Sequence, residues 1–241
     1  MRASRFPAVK SKDYVSRFLV DRSKDCFSRC KFILEYEEEI SEMECYKRLE
    51  KLQLTVGGQI IFQINGNYLY KFKVDKNVDD KKRKWDVWIN LGQYGFDYMP
   101  LCGLCFHEVC FFIYTDARVE MEVLYDDMGM EEKEMIKDGC FDQNVKLPRV
   151  EILKDLRGIY VPEVVENSLY FYVESENMAT FCKDGNELLS TYYGDGLYNV
   201  EVEGDCLIEI MGVNDCRVEI YYLRKNEFRV FSGMGGLKYS T

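Results

Sequence analysis

One histidine and ten cysteines are the residues of this 241-residue chain best suited to chemistry, and the histidine stands inside a cysteine cluster, Cys102-x-x-Cys105-x-His107-x-x-Cys110. Four soft donors at that spacing resemble a zinc knuckle, in which thiolates and an imidazole close a tetrahedron around the metal. The objection is geometric. If Phe106–Tyr114 is a strand, alternation sends Cys105 and His107 to one face and Cys110 to the other, and the tetrahedron cannot close. The reading preferred on this ground is three small buried thiols and a histidine, with no metal ligand assigned.

The remaining candidates fare no better. Cys26 and Cys30 form a pair without a nearby histidine. A Cys/His nucleophile would have to use His107 and needs an accessible thiol in an electropositive setting, which an acidic chain does not advertise. The carboxylate runs Glu37-Glu38-Glu39, Asp126-Asp127 and Glu131-Glu132 contain pairs that would suit a glycosidase, yet charge runs at turns are solvated faces in most proteins and none carries a substrate-binding signature. Asp126-Asp127-x-Gly129 lacks the alternating ligands of a calcium loop. The closing Ser232-Gly233-Met234-Gly235-Gly236 is glycine-rich like a phosphate cradle, but no Lys-Ser/Thr follows, and a tight terminal loop returning against a sheet suits it better. No catalytic, cofactor-binding or metal residue is assigned, and the chain is read as a non-enzyme without a cofactor.

The elements that position these residues read as strands. Tyrosine occurs 18 times and phenylalanine 15 times, a bias toward side chains that fit pleated, half-buried sheets. The spacing predicts strands at Tyr14–Val20, Phe27–Leu34, Met43–Tyr46, Leu52–Val56, Ile60–Ile64, Tyr68–Val74, Trp85–Leu91 and Phe106–Tyr114. A second series follows at Val119–Tyr125, Leu169–Val173, Met178–Cys182, Leu188–Tyr192, Leu197–Val202, Cys206–Met211, Arg217–Leu223 and Phe228–Phe231. Gly57-Gly58 and Asn65-Gly66 carry the clearest hairpin chemistry, since glycine and asparagine accept positive φ. The polar run from Lys76 to Lys84 reads as an exposed loop. Met130–Lys137 is the single expected helix, acidic where its dipole favours carboxylates. Short strands every 8 to 12 residues or so argue for sandwiches or barrels, and two series of about eight argue for two jelly rolls. The stretch Met99–Met135 is the expected seam.

With 32 Lys and Arg against 42 Asp and Glu, the formal charge is −10, so a phosphate-binding surface would work against the average field, and nucleic acid is not an expected partner. No N-terminal apolar leader is evident and the chain is large for a disulfide scaffold, so the cysteines are read as free thiols in a reducing compartment. No apolar run approaches the roughly 18 to 20 residues that span a bilayer. The first residues carry Arg2, Arg5, Lys10 and Lys12 without an acid, and read as a basic, flexible arm.

Five segments, in order, resemble the double jelly-roll major capsid proteins of nucleocytoplasmic large DNA viruses. Arg22 to Phe32 is similar to that family's Arg-x-Gly-Asp-Leu-Ile-Ser segment. Leu54 to Ile60 with Gly66 to Leu69 is similar to its Ile-Gly-Gly-Gln-x-Ile hairpin and the Gly-x-Tyr/Trp-Leu after it. Met99 to Val109 resembles Leu-Pro-Leu-Ile-Ala-Leu-Gln-Tyr-His-Glu-Val, and Val123 to Lys133 resembles the Tyr-x-x-Leu-Asp-x-x-Glu-Arg-Arg that opens the second jelly roll. Phe228 to Ser240 resembles the closing Leu-Arg-Ile-x-Ser-Gly-Met-x-Gly-Leu-x-Tyr-Ser, the most specific of the five. The chain departs from the family in length, in its missing tower loops and in the shrunken segment Trp88 to Phe96.

The resemblance implies an all-β protein of two tandem jelly rolls, with an arm at 1–13, a first jelly roll at 14–115 and a second at 116–241. It further implies a capsid-like structural protein, whether minor capsid component, capsid paralogue or assembly scaffold, forming capsomer-like homotrimers and contacting other capsid proteins. The expected place is the virion or the cytoplasmic assembly site of the infected cell, with the basic arm available for peripheral contact with an inner membrane. The alternative is a jelly-roll binding module that recognises a glycan or a host protein and no longer forms a lattice.

Overall fold

The computed structural model describes residues 2–7, 9–10, 14–73, 75–76, 80–139, 141–153, 159–161, 168–175, 177–194, 196–202, 206–213 and 216–238. The first series of strands is β1 (Arg2–Pro7), β2 (Val9–Lys10), β3 (Val15–Leu19), β4 (Cys26–Ser41), β5 (Lys51–Val56), β6 (Gln59–Ile64), β7 (Lys81–Asn90), β8 (Val109–Tyr114) and β9 (Arg118–Asp126). They form two antiparallel sheets, ordered β1-β9-β4-β7 and β2-β3-β8-β5-β6. With the antiparallel β2–β3 pair counted in second place, the order is 1-8-3-6 over 2-7-4-5, in which the first strand lies beside the last. That is jelly-roll wiring. The inner faces meet through Phe32 of β4 and Phe111 of β8, whose ring centroids are 5.3 Å apart edge to face, with Phe18 of β3 6.0 Å from Phe32.

The second series is β10 (Phe141–Leu153), β11 (Ile159–Val161), β12 (Ser168–Val173), β13 (Thr180–Lys183), β14 (Asn186–Glu187), β15 (Ser190–Gly194), β16 (Leu197–Glu201), β17 (Cys206–Met211), β18 (Val218–Phe231) and β19 (Met234–Leu237). One sheet runs β10-β18-β12-β16-β15, with β19 on β18, and the other runs β11-β17-β13-β14. With the β15–β16 hairpin in sixth place, the order is again 1-8-3-6 over 2-7-4-5. Phe171, Phe181 and Tyr198 fill its core, with centroids of successive rings 4.7 and 5.3 Å apart. The fold is all-β, two jelly rolls in tandem.

Compact packing divides the chain into residues 1–147 with 226–241, and residues 148–225. The last strands of the chain therefore return to the first unit, where Phe228, Val230 and Leu237 are buried in the same core as Phe32 and Phe111.

Several expectations change. Arg118–Tyr125 lies within β9, hydrogen-bonded to β4 on one side and β1 on the other. The 115/116 boundary thus falls between two strands of the first set, and Arg118–Tyr125 closes that set rather than opening the next. Residues 2–7 of the expected flexible arm form β1, in register with β9 from Arg2 opposite Tyr125 to Pro7 opposite Glu120. The arm reading failed because an edge strand can form without an apolar pattern of its own when its partner supplies the ladder.

Met43–Tyr46 is not a strand, and neither is Tyr68–Val74 over its described residues 68–73, Val74 lying outside them. Glu42–Arg48 is helix α1, with Ser41 Oγ accepting from Glu44 N–H, acids in its first turn and Lys47 and Arg48 in its last. Gly66–Lys71 is helix α2, capped by Asn65, whose side chain accepts from Tyr68 N–H at 2.8 Å. Asn65-Gly66 is therefore a helix start and not a hairpin. A Cβ at Gly66 would collide with the Tyr46 carbonyl, so the glycine lets the two short helices touch. Lys81–Lys84 belongs to β7, an edge strand that leaves those four side chains in solvent. The helix Met130–Lys137, α3, forms as expected, and so does the Gly57-Gly58 turn between β5 and β6.

Candidate functional site: the join around His107

The segment from Met99 to Val109 leaves the strand pattern. Leu101–Gly103 is a turn of 3-10 helix, residues 105–107 form a bend, and β8 begins only at Val109. The separation of Cys110 from Cys105 and His107 thus has a different cause from the alternation expected for Phe106–Tyr114. Cys110 sits in a ladder, opposite Leu19 and Thr55, while the other two lie in the bend before it.

That bend is gripped from four sides. Arg22 donates to three backbone carbonyls, of Leu104 at 3.4 Å, Cys105 at 3.0 Å and His107 at 3.3 Å. The Gly57 N–H donates to the Glu108 carbonyl at 2.9 Å, and the His107 ring lies where a Gly57 side chain would be. From the C-terminus, the Gly233 carbonyl accepts from Phe106 N–H at 2.9 Å. His107 Nδ1 lies 2.8 Å from the Gly235 carbonyl and 3.2 Å from the Gly235 N–H. This cradle accepts either neutral tautomer, since Nδ1 donates to the carbonyl in one and accepts from the amide in the other. Gln59 Oε1 accepts from Leu237 N–H at 2.8 Å and fixes β19 to the tip of β6.

The fourth of the five segments joins through Asp25. Its carboxylate pairs with Lys133 of α3 at 2.6 Å and accepts from Met128 N–H at 3.0 Å, and its carbonyl accepts from Cys102 N–H at 3.0 Å. Burial opposes ionisation of Asp25, but the Lys133 and Met128 bonds outweigh it and hold its carboxyl below the usual range. Gly103 lets Ile136 of α3 and Val230 of β18 close over the turn. All five segments that resemble the capsid family therefore meet in one place, inside the first compact unit.

The arrangement is mechanical. Cys102 Sγ lies 3.9 Å from Met128 Sδ, Cys105 Sγ lies 3.8 Å from the Cys102 carbonyl, and Cys110 Sγ accepts from Arg17 at 3.4 Å. The four knuckle candidates thus have four different partners, and among the described residues no group of three or more His, Cys, Asp or Glu is placed to hold a metal. Burial and the nearby Asp126 and Asp25 carboxylates push the Cys26 thiol up to about 12, while burial and Asp25 raise Cys102. Protonated thiols are poor nucleophiles. Cys30 is wholly buried and raised by desolvation. Of the acid runs, Glu38 pairs with Arg48 at 2.6 Å, Glu132 accepts from Tyr98, and Asp126 accepts from Ser28 at 3.4 Å. Sequence reasoning missed Arg22 and Asp25 as organisers. Their carbonyl and carboxylate contacts span from 82 to more than 100 residues, which no local pattern reports.

The wiring, found twice along the chain, defines the class: a double jelly roll. Among solved structures the chain is similar to VP54 of PBCV-1, in a crystal structure fitted into a cryo-EM reconstruction of the virophage Sputnik. The identity is 11% and the TM-score 0.66, over 100% of this chain and 97% of that one. A quasi-atomic model of the PBCV-1 virus capsid matches at 12% identity and TM-score 0.64, with the same coverage. The STIV MCP matches at 9% and 0.55, over 93% of this chain and 97% of that one. At these identities the likeness is one of fold, and it is the fold that the five segments implied. No family model and no curated protein sequence matches the chain.

Proposed function

We propose that the chain is a capsid-like structural protein, a minor capsid component, capsid paralogue or assembly scaffold, which works by packing into homotrimers alongside other capsid proteins in the virion or at the viral assembly site. The observation that supports it is the convergence of the five segments on the His107 join within a twice-repeated jelly-roll wiring. Such a join stiffens a building block and offers no reaction centre, so no enzymatic activity is assigned. The net charge of −10 weighs against a nucleic-acid partner.

The basic N-terminus adds peripheral contact with an inner membrane to this reading. Because residues 2–7 form β1, deleting them removes a strand of the sheet, so the informative change is Arg2→Ser with Arg5→Ser. Flotation with anionic vesicles should fall with that double variant, and unchanged flotation removes the membrane contact. Light scattering during size exclusion tests assembly itself. A stable trimer is expected, whereas a chain that stays monomeric at high concentration turns the reading toward a binding module.

A further inference from the structure

Cys102 and Cys105 share no metal site, yet they form a Cys-x-x-Cys pair on a turn whose geometry suits a different chemistry. Gly103 N–H donates to the Pro100 carbonyl at 3.3 Å and Leu104 N–H to the Leu101 carbonyl at 3.0 Å, two successive 3-10 bonds. In such a turn side chains three residues apart eclipse one another, with Cα atoms about 6 Å apart, within the roughly 4.4 to 6.8 Å that a disulfide bridges. Cys105 stands one such step beyond Cys102. Its Sγ lies 3.8 Å from the Cys102 carbonyl, where the next amide of the turn would donate. The backbone on both sides is fixed. Cys102 N–H donates to the Asp25 carbonyl at 3.0 Å, and the Cys105 carbonyl accepts from Arg22 at 3.0 Å. Gly103 between them lies so close to Ile136 and Val230 that a Cβ would meet them at 2.3 and 2.9 Å. The Cys102 side chain is held only by a soft contact, 3.9 Å to Met128 Sδ, from which a change of χ1 rotamer can release it.

The two thiols differ in access. Cys105 is exposed, the one exposed cysteine among the described residues, and Cys102 is half-buried. The other sulfur near Cys102, that of Cys26, is buried and lies 3.4 Å from the Asp126 carbonyl. An accessible thiol poised beside a resolving one is the arrangement that reversible oxidation uses. We infer that Cys102 and Cys105 form a reversible disulfide, which closes when the protein leaves a reducing compartment and locks the turn to the bend that carries His107. With hydrogen peroxide as oxidant, the Cys105 sulfur attacks one peroxide oxygen. An S–O bond forms, the O–O bond breaks, and the thiol proton leaves in a molecule of water. The Cys102 sulfur then attacks the sulfenic sulfur, so that an S–S bond forms, the S–O bond breaks and the second thiol proton leaves in a second water. The two sulfurs give up two electrons and the peroxide takes them. A dithiol restores both thiols by exchange. The reducing poise inside a cell keeps the pair open, and the oxidising surroundings outside it close the bond. The lock goes beyond the assembly reading and holds whether or not the chain trimerises.

The test is brief treatment of the folded full chain with dilute hydrogen peroxide, followed by alkylation of the remaining thiols, intact mass measurement and peptide mapping without reduction. The chain should lose the mass of two hydrogens, the new bond should map to Cys102–Cys105, and dithiothreitol should reverse the change. Phe106 N–H, which follows the pair and donates to the Gly233 carbonyl, should exchange with solvent about tenfold more slowly in the oxidised chain, within what closing so short a loop supplies. Cys102→Ser removes the resolving thiol, so dimedone should then trap Cys105 as its sulfenic acid, whereas Cys105→Ser should keep its mass under the same treatment. Tryptophan emission matching wild type establishes that both variants are folded, and the wild-type map decides alone where one is not. A bond mapped to Cys26 and Cys102, two copies joined through Cys105, a Cys105 that proceeds to sulfinic acid, or unchanged exchange at Phe106 overturns the lock. None of these outcomes touches the trimer measured by light scattering, so the two readings fail separately.

Discussion

Two hairpin turns occupy the same place in the two jelly rolls and carry different loads. Gly57-Gly58 joins β5 to β6, and Asp184-Gly185 joins β13 to β14. All four residues have positive φ, between 51° and 86°, because a two-residue turn must follow the right-handed twist of its strands. The surroundings differ. Gly57 lies under the His107 ring, whereas a Cβ on Gly185 would meet nothing within 4 Å. Turn chemistry is set locally by twist, while the cost of altering it is set by what the rest of the chain stacks on the turn. In the first jelly roll the hairpin tip is a bearing point for the join and for the C-terminal strand. In the second it faces open space.

The largest effect should separate these two glycines. Gly57→Ala combines a left-handed alanine, about 1 to 2 kcal/mol, with displacement of a packed ring, about 1 to 3 kcal/mol, for a total near 3 kcal/mol. Gly185→Ala should cost only the first part, about 1 kcal/mol. The chain supplies its own reporter, since both tryptophans, Trp85 and Trp88, lie in β7 of the first unit. Denaturant titration followed by tryptophan emission for the first unit and by far-ultraviolet circular dichroism for both should shift strongly for Gly57→Ala and little for Gly185→Ala. Equal shifts would break the comparison.

A double-mutant cycle sharpens it. If the ring above Gly57 is the cause, His107→Ala should remove most of the steric part, leaving a coupling of about 1 kcal/mol or more between the two sites. Additive costs would place the strain elsewhere. Next in size is Gln59→Ala, which deletes the acceptor for Leu237 N–H and should cost about 1 kcal/mol. Amide exchange at Leu237 should quicken more than exchange within β5, because the tie holds β19 alone.

Much of this contrast was legible in the sequence. Gly57-Gly58 announces its turn, the closing glycines announce a tight return to a sheet, and Met130–Lys137 announces a helix. The all-β reading followed from strand spacing, and the jelly-roll pairing from two series of about eight. The misreadings share a cause: short elements whose identity is decided by partners. α1 carries one tyrosine and α2 two, and both look like strands, yet Ser41 and Asn65 cap them and Gly66 docks one on the other. The start of β7 is polar because it is an edge strand whose side chains there stand in solvent, and β1 forms by pairing with β9. The join was the least legible part. Arg22 reads as an ordinary surface cation until the chain folds and brings three carbonyls to it.

The smallest prediction concerns the electrostatic half of the join. Asp25 holds α3 to the first sheets through Lys133 and the Met128 N–H, and these bonds keep its folded pKa below the unfolded value of about 3.9. A depressed carboxylate contributes stability that is fully present above the unfolded pKa and is lost as pH falls through the folded one. Acid should therefore loosen the join progressively below about pH 4. Asp25→Asn keeps the shape and removes the charge, so it should lower the denaturation midpoint modestly at pH 7 and flatten its decline between about pH 5 and pH 3. A variant whose acid limb stays as steep as wild type would show that other carboxylates carry the acid sensitivity. The stacked ring over Gly57 would then hold the join without help from the ion pair.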